Sequence, residues 1–278
     1  MDKVDNHGEV RQKEQAIHSL KDALERITFK ELIPDPNAYI SVFSSDEGVS
    51  ENIPEIVSGI EGQQTNNLRV GLVVGSGGLL SLGSILPQIN LWIVADMNPS
   101  EIDVLKEHHK KTAEAKDYQQ LLNEISAPFA GKNALTQRIP LVERNSYDKF
   151  YYLSSAERLK SAQDFLKKDN IAYLNVDLTD QDSLARVGDV LTQHSANIAF
   201  ANMTNVMEWV PGFENDLSQP IVQKSFFKLP ILKDCVFLHS LSTGRIGRSP
   251  IITHTAVGLA DYLKGTAYPN HNLARYSP

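Results

Sequence analysis

Short apolar blocks alternate with helical stretches along the middle of the chain, and this alternation predicts an α/β fold. Six runs have the length and composition of strands: Leu68–Val74, Leu91–Ala95, Ile171–Val176, Asn197–Asn202, Cys235–Leu241 and Ile251–Ala256. The first two runs are apolar at consecutive positions, as in strands that are covered on both faces. Because helical segments separate most of the runs, we expect right-handed crossovers and a mostly parallel, Rossmann-like sheet.

Apolar residues spaced three or four positions apart predict the helices. The predicted helices cover residues 15–30, 79–86, 100–116, 155–168 and 181–193. Two of them begin at a candidate capping box, in which a hydroxyl and an acid three residues later bond the first turn. Ser154 with Glu157 predicts the start of the fourth helix, and Thr179 with Asp182 predicts the start of the fifth.

The spacing of these elements predicts the domain organisation. Residues 1–14 are strongly polar and are expected to be a disordered lead. Residues 15–67 are expected to form a helical and loop cap, 68–265 the Rossmann-like domain, and 266–278 a tail. About 75 residues separate the second strand from the third, far more than one crossover needs. Residues 117–148 are therefore predicted to be an insertion and a candidate lid over the ligand crevice.

Composition excludes several classes of protein. The chain has 278 residues, a net charge of −7 and a single cysteine, Cys235. One cysteine excludes an internal disulfide framework and a multi-cysteine zinc site, and no metal is expected. The negative charge argues against a nucleic-acid partner, which would require a clustered basic face.

Localisation is predicted from two features of the chain. The polar start lacks the apolar core and cleavage site of a Sec signal, so a cytoplasmic protein is expected, with export by another route left open. The uncharged stretch from Val70 to Ala95 is long enough to cross a bilayer. Its five glycines, its proline and its polar residues favour strand, turn, helix and strand instead. No membrane association is expected.

The strongest chemical signal is a glycine-rich turn between an apolar strand and a helix. Gly75, Gly77 and Gly78 come directly after the first strand, where the turn needs unusual dihedrals and the backbone comes close to a ligand. Asp96 ends the second strand, 21 residues after Gly75. An acid at that strand end can accept hydrogen bonds from two ribose hydroxyls. Together the two features predict a nucleoside-containing ligand.

The residues after the glycines narrow the class of nucleoside ligand. A dinucleotide fingerprint has a third glycine at the position of Leu80, where the helix packs close to the strand. The turn also lacks the Gly-Lys-Ser/Thr of a P-loop. A ligand without pyrophosphate suits this turn better.

The order of these motifs resembles class I S-adenosylmethionine (SAM)-dependent methyltransferases. The resemblance rests on the glycine turn with Asp96, then on Asn175-Val-Asp177, then on Ala201-Asn-Met-Thr-Asn205. Within that superfamily the chain is similar to a group of poorly characterised bacterial methyltransferase-like proteins. It shares with them the Tyr152-Leu-Ser-Ser155 segment and has Asn205-Val-Met-Glu-Trp209, with tryptophan in place of tyrosine. The resemblance covers roughly residues 35–245 and implies a Rossmann-like methyltransferase fold.

The resemblance assigns roles to individual residues. The implied cofactor-binding residues are Gly75, Ser76, Gly77, Gly78, Asp96, Asn98, Asp177 and Asn202. Of these, the glycines approach the amino-acid part of SAM, Asp96 binds the ribose diol and Asp177 meets the adenine amino group. Asn202 and Asn205 line the methyl-transfer crevice. His239, near the end of a late strand, is the best general-base candidate, so Asn205 and His239 are the candidate catalytic residues.

Each of these residues also has a purely structural interpretation. Asp177 lies beside a helix start and can cap it, and the two asparagines can bond local backbone groups. His108 and His109 are expected on a solvated helix face rather than in a metal site. For the whole protein, the alternatives are a SAM- or nucleoside-binding protein without transfer, an NAD(P)-binding oxidoreductase and an aminopropyl transferase. The acceptor, a small molecule or a protein, and the oligomeric state stay open.

Overall fold

One sheet organises the described part of the chain. The computed structural model describes residues 6–33, 49–75, 78–121, 150–202, 225–226, 228–240 and 251–254. Within these ranges the strands are β1 (Leu68–Val74), β2 (Leu91–Asp96), β3 (Ile171–Asn175), β4 (Ala196–Asn202), β5 (Ile231–Ser240) and β6 (Ile251–His254). Their order is β3-β2-β1-β4-β5-β6, with β1 to β5 parallel and β6 antiparallel to β5. The predicted Rossmann-like α/β fold is confirmed.

Helices cover both faces of this sheet. They are α1 (Asn6–Glu25), α2 (Val49–Gly62), α3 (Leu79–Ile85), α4 (Pro99–Glu114), α5 (Ala156–Leu166) and α6 (Gln181–Gln193). One apolar cluster joins α2, α3, α4 and α5 to one face, and a second joins α1 and α6 to the other. The crossovers through α3 and α4 run outward from β1, whereas α6 returns the chain to β4 on the opposite face. The switch point of the sheet therefore lies between β1 and β4.

The interior strand β2 shows why the sheet needs both layers. Trp92 and Val94 belong to the cluster formed with α3 and α4, whereas Ile93 and Ala95 belong to the cluster formed with α1 and α6. This alternation is the two-residue period of a strand. Asp96 continues the series of Trp92 and Val94, so the pleat directs it to the face that carries α3 and α4.

Two helices differ from the sequence prediction. α1 begins at Asn6 instead of residue 15, so residues 6–14 are helical where disorder was expected. The side chains of residues 9–14 are exposed, so the segment lacks the apolar pattern from which a helix is predicted. α2 was not predicted at all. It buries Ile53, Ile56 and Ile60 at helical spacing, although Pro54 lies within it.

The two predicted capping residues are each wrong by one position. Ser155, not Ser154, caps α5, and its Oγ accepts a hydrogen bond from the amide nitrogen of Arg158 at 3.2 Å. Asp180, not Thr179, caps α6 and accepts from the Asp182 amide at 3.2 Å. In both places two neighbouring side chains could cap, and the backbone conformation decides between them.

Parts of the predicted domain organisation lie outside the described residues. This applies to residues 1–5, to 122–148 of the predicted insertion and to the tail at 266–278. None of the helices in the described ranges combines the length and the apolar character that crossing a membrane requires.

Candidate functional site

The carboxyl ends of the parallel strands meet at one edge of the sheet. The strand register places Val74 beside Ala95, Asp96 beside Asn175, and Asn202 beside Val73. The turn after β1 and the acid that ends β2 are therefore neighbours in space. This edge, next to the switch point between β1 and β4, is where ligands bind in open α/β sheets.

The first turn at this edge depends on two glycines. Gly75 has φ of +56° and Gly78 has φ of 66°, a left-handed conformation that side-chain-bearing residues rarely adopt. The Gly75 amide donates to the carbonyl oxygen of Ala95 at 3.0 Å, which ties the turn to β2. Gly78 is the N-cap residue of α3. Ser76 and Gly77, predicted to approach the cofactor, lie outside the described residues.

Asp96 is held at the edge by its backbone and by one carboxylate oxygen. Its carbonyl oxygen accepts from the Val176 amide at 3.0 Å and from Asn175 Nδ2 at 2.9 Å. Its Oδ1 accepts from the Asn98 amide at 2.7 Å. Burial raises the pKa of Asp96 to about 6, although the bond from Asn98 acts in the opposite direction. Because this carboxylate is half-buried and its charge is disfavoured there, the position favours a ligand that donates hydrogen bonds to it.

Gly75 and Asp96 lie directly beside each other at this edge. A Cβ atom at position 75 would lie 3.4 Å from Asp96 Oδ2 and 3.8 Å from Glu101 Oε1. The missing side chain therefore leaves space beside two carboxylates. Among the described residues, the hydrogen bond to the Asp96 carboxylate is the one from the Asn98 amide to Oδ1, and Oδ2 is the oxygen that lies next to the position where Gly75 has no side chain.

The structure places two further residues at this edge that sequence reasoning missed. Glu101, in the first turn of α4, is buried with only 6% of its surface exposed. Met97 comes directly after Asp96, and 54% of its surface is exposed. Both fall within the Asp96–Glu101 segment, and an acid in the first turn of a helix was the available signal for Glu101.

Asn98 and Asp177 both make local backbone contacts. Asn98 is the N-cap residue of α4, and its side chain accepts from the Ser100 amide at 3.1 Å. Asp177 Oδ1 accepts from the amide of Thr179 at 2.8 Å and from its hydroxyl at 2.7 Å. The structural interpretation thus accounts for one oxygen of each side chain. Their predicted contacts with the cofactor stay predictions.

The remaining candidates lie at or beyond the ends of β4 and β5. Asn202 is almost fully buried at the end of β4, with Leu238 of β5 beside it. The backbone of His239 belongs to β5 and pairs with Ile252 of β6. The side chain of His239 and the whole of Asn205 lie outside the described residues. The sheet therefore brings the backbone of the general-base candidate to the same edge as Asp96.

The expectation of a solvated surface at His108 and His109 is wrong. Both are buried, at 1% and 5% exposure. His108 Nε2 lies 3.0 Å from the Tyr152 hydroxyl, and His109 Nδ1 lies 2.6 Å from the Tyr173 hydroxyl. Adjacent residues do face different sides of a helix, but both sides of α4 are covered here.

Two other features of the described residues bear on the kind of site they form. No three His, Cys, Asp or Glu side chains come close enough together within these ranges to hold a metal ion. A small cavity between the sheet and α6 is lined by apolar side chains alone, including Leu72, Ile93 and Leu184, and so offers no polar group for ligand recognition.

The chain matches no protein-family model, and no curated protein shows significant sequence similarity to it. Its function is therefore inferred from the geometry of this edge.

Proposed function

We propose that this protein is a SAM-dependent methyltransferase whose cofactor binds at the turn between Gly75 and Gly78 and at Asp96. The observation that carries the proposal is the pairing of Gly75 with Asp96: a position with no side chain faces a half-buried carboxylate oxygen to which no described residue donates a hydrogen bond. A ribose offers two neighbouring hydroxyl donors, which a carboxylate accepts well. The ligand would thus satisfy a group that burial makes costly to leave alone.

The surroundings of Asp96 support an adenosyl ligand. The exposed Met97 would offer an apolar surface for the flat face of adenine next to the ribose. The turn from Gly75 to Gly78 would receive the amino-acid portion of SAM, as the resemblance implies. Asp177, just after β3, would border the adenine. Asn202, at the end of β4, would border the transferred methyl group.

Two features argue against a dinucleotide. Leu80 is buried where the dinucleotide fingerprint has glycine, so the helix cannot pack against the strand as that motif requires. The sheet also departs from the second nucleotide-binding half of such proteins. β6 pairs antiparallel with β5 after only 10 residues, 241–250, whereas a parallel strand needs a longer crossover.

In methyl transfer from SAM, the main task of the protein is to align the reacting groups. SAM supplies a methyl group that its sulfonium already activates, so the protein has to hold nucleophile, methyl carbon and sulfur in line. Asn202 and Asn205 are the residues proposed to border the acceptor, and His239 would remove a proton from an acceptor that is a weak nucleophile. The acceptor itself is a small molecule or a protein.

A panel of ligands tests this proposal. Calorimetric titration with SAM, S-adenosylhomocysteine (SAH), NADH and NADPH is expected to give binding to the first two only. Binding of NADH or NADPH alone would instead identify an oxidoreductase. Binding of SAM without methyl transfer to any member of a panel of small-molecule and protein acceptors would favour a nucleoside-binding protein without transfer.

A further inference from the structure

One residue, Tyr152, contacts both helices that begin at the candidate site. Its hydroxyl lies 3.0 Å from Nε2 of His108 on α4. Its backbone amide donates to Oγ of Ser81 on α3 at 3.1 Å. Tyr152 thereby connects the helix after the glycine turn with the helix after Asp96, from a segment that belongs to neither.

We infer that Tyr152 is a positioning residue that holds the first turns of α3 and α4, which follow the glycine turn and Asp96, in fixed positions relative to each other. Ser81 lies three residues beyond Gly78, the N-cap of α3, and His108 lies on the helix whose N-cap is Asn98. Backbone hydrogen bonds between successive turns make a helix nearly rigid, so a contact within the helix also fixes the position of its first turn. This inference rests on the proposed ligand site, because it concerns the spacing of that site's two halves.

The surroundings of Tyr152 make this connection stiff. Tyr152 is 3% exposed and His108 is 1% exposed, so water cannot readily replace the bond between them. The Tyr152 ring also makes edge contacts with the rings of Tyr151 and His108, at centroid distances of 5.0 Å and 6.1 Å. Packing therefore holds the ring in place even when its hydroxyl is removed, so Tyr152→Phe tests the contacts of that hydroxyl, with His108 and with the Tyr151 hydroxyl, without disturbing the ring.

The chain supplies a matched control on the same helix. His109, the next residue of α4, lies 2.6 Å from the hydroxyl of Tyr173, which belongs to β3. Tyr173→Phe removes the same kind of bond between the same two residue types. That bond connects α4 to β3 and leaves the connection between α3 and α4 intact. A purely structural role predicts the same result for both variants.

Two measurements compare the variants. The first is hydrogen exchange in the ligand-free protein at the Gly75 and Leu82 amides, which bond the carbonyl oxygens of Ala95 and Gly78. The second is calorimetric affinity for SAH. For Tyr152→Phe we expect exchange faster by about three- to tenfold and affinity weaker by about three- to tenfold, the effect of one hydrogen bond. Tyr173→Phe should lower thermal stability about as much as Tyr152→Phe does, but it should leave the exchange rates and the SAH affinity at their wild-type values.

A second variant and the opposite outcomes complete the test. Ser81→Ala removes the other contact of Tyr152 and should change exchange and affinity in the same direction. Equal effects of Tyr152→Phe and Tyr173→Phe, or no effect of either, would show that Tyr152 only packs and would overturn the inference. If wild-type protein does not bind SAH, the proposed function fails, and the exchange measurement alone then decides the role of Tyr152.

Discussion

Gly75 leaves open the space directly in front of the Asp96 carboxylate. A Cβ atom at residue 75 would lie 3.4 Å from Asp96 Oδ2, and the φ of +56° at Gly75 already disfavours any side chain there. The backbone thus leaves open the space in front of a half-buried carboxylate. Because Gly75 lies next to β1 and Asp96 ends β2, the parallel pairing of the two strands creates this space.

Gly75→Ala should weaken both the fold and the binding of the ligand. The left-handed conformation makes alanine costly by about 1–2 kcal/mol, and the new methyl group would occupy space next to Asp96. We expect that loss in urea unfolding, together with an SAH affinity weaker by about tenfold or more.

Gly62→Ala is the matched control for this change. Gly62 ends α2, and no atom lies within 4 Å of a Cβ placed there. This variant should change the free energy of unfolding by no more than about 1 kcal/mol, and it should leave the SAH affinity unchanged. Wild-type affinity in Gly75→Ala would show that the ligand does not use this space.

Gly188→Ala should disturb the packing of the chain that leads into β5. A Cβ atom on Gly188 of α6 would lie 2.0 Å from the carbonyl oxygen of Lys228, so the backbone has to move. We expect a loss of about 2–3 kcal/mol in the free energy of unfolding, measured with urea. A change below about 0.5 kcal/mol would mean that the segment at Lys228 is not packed against α6 as described.

The two buried histidines of α4 should make stability depend on pH. Burial lowers the pKa of His109 to about 4 and that of His108 well below its usual value, with Lys111 and the neighbouring histidine also acting on His108. The unfolded chain therefore binds protons near pH 6.5 that the folded protein does not bind. Their stabilising contribution is full above pH 6.5 and is lost as the pH falls toward 4.

A comparison with His109→Gln isolates the histidine from the acids that titrate over the same range. Between pH 7.5 and pH 5, wild-type protein should lose about 2 kcal/mol more unfolding free energy than the glutamine variant. Urea titrations at the two pH values measure this difference. Equal losses in the two proteins would mean that His109 is not buried in its neutral form.

The sequence predicts the strands well, but it predicts poorly which side chains of the helices are buried. The reason is physical. A strand such as Leu91–Asp96 is covered on both faces, so its apolar run is continuous and easily recognised. The burial of His108 depends instead on Tyr152, 44 residues away, and no local pattern contains that contact. α2 was missed although it has isoleucines at helical spacing, because the proline within it obscured the pattern.

The sequence also predicts only part of the candidate site. Gly75 and Asp96 stand out because each ends a strand, and parallel pairing brings such ends together. Met97 and Glu101 did not stand out, because one is notable only for its exposure and the other only for its burial. Both properties depend on how α4 packs, which the sequence of α4 does not specify.

Asp96→Asn tests the central claim. Asparagine keeps an oxygen that can accept from the Asn98 amide but removes a charge that burial disfavours. Since the pKa of Asp96 is raised from 3.8 to about 6, its charge destabilises the ligand-free protein increasingly as the pH rises over that interval. At pH 7.5 the variant should therefore be more stable than wild type, by about 1–3 kcal/mol.

The most direct measurement combines SAH affinity and thermal midpoint for wild type and Asp96→Asn at pH 7.5 and pH 5. We predict that at pH 7.5 the variant melts at a higher temperature yet binds SAH about 10- to 150-fold more weakly, because a charged acceptor of hydroxyl donors is lost. Wild-type affinity should fall about tenfold at pH 5, as Asp96 becomes protonated, and the affinity of the variant should not change. Unchanged SAH affinity in the variant, with a lower melting temperature, would contradict the claim and leave Asp96 a structural residue.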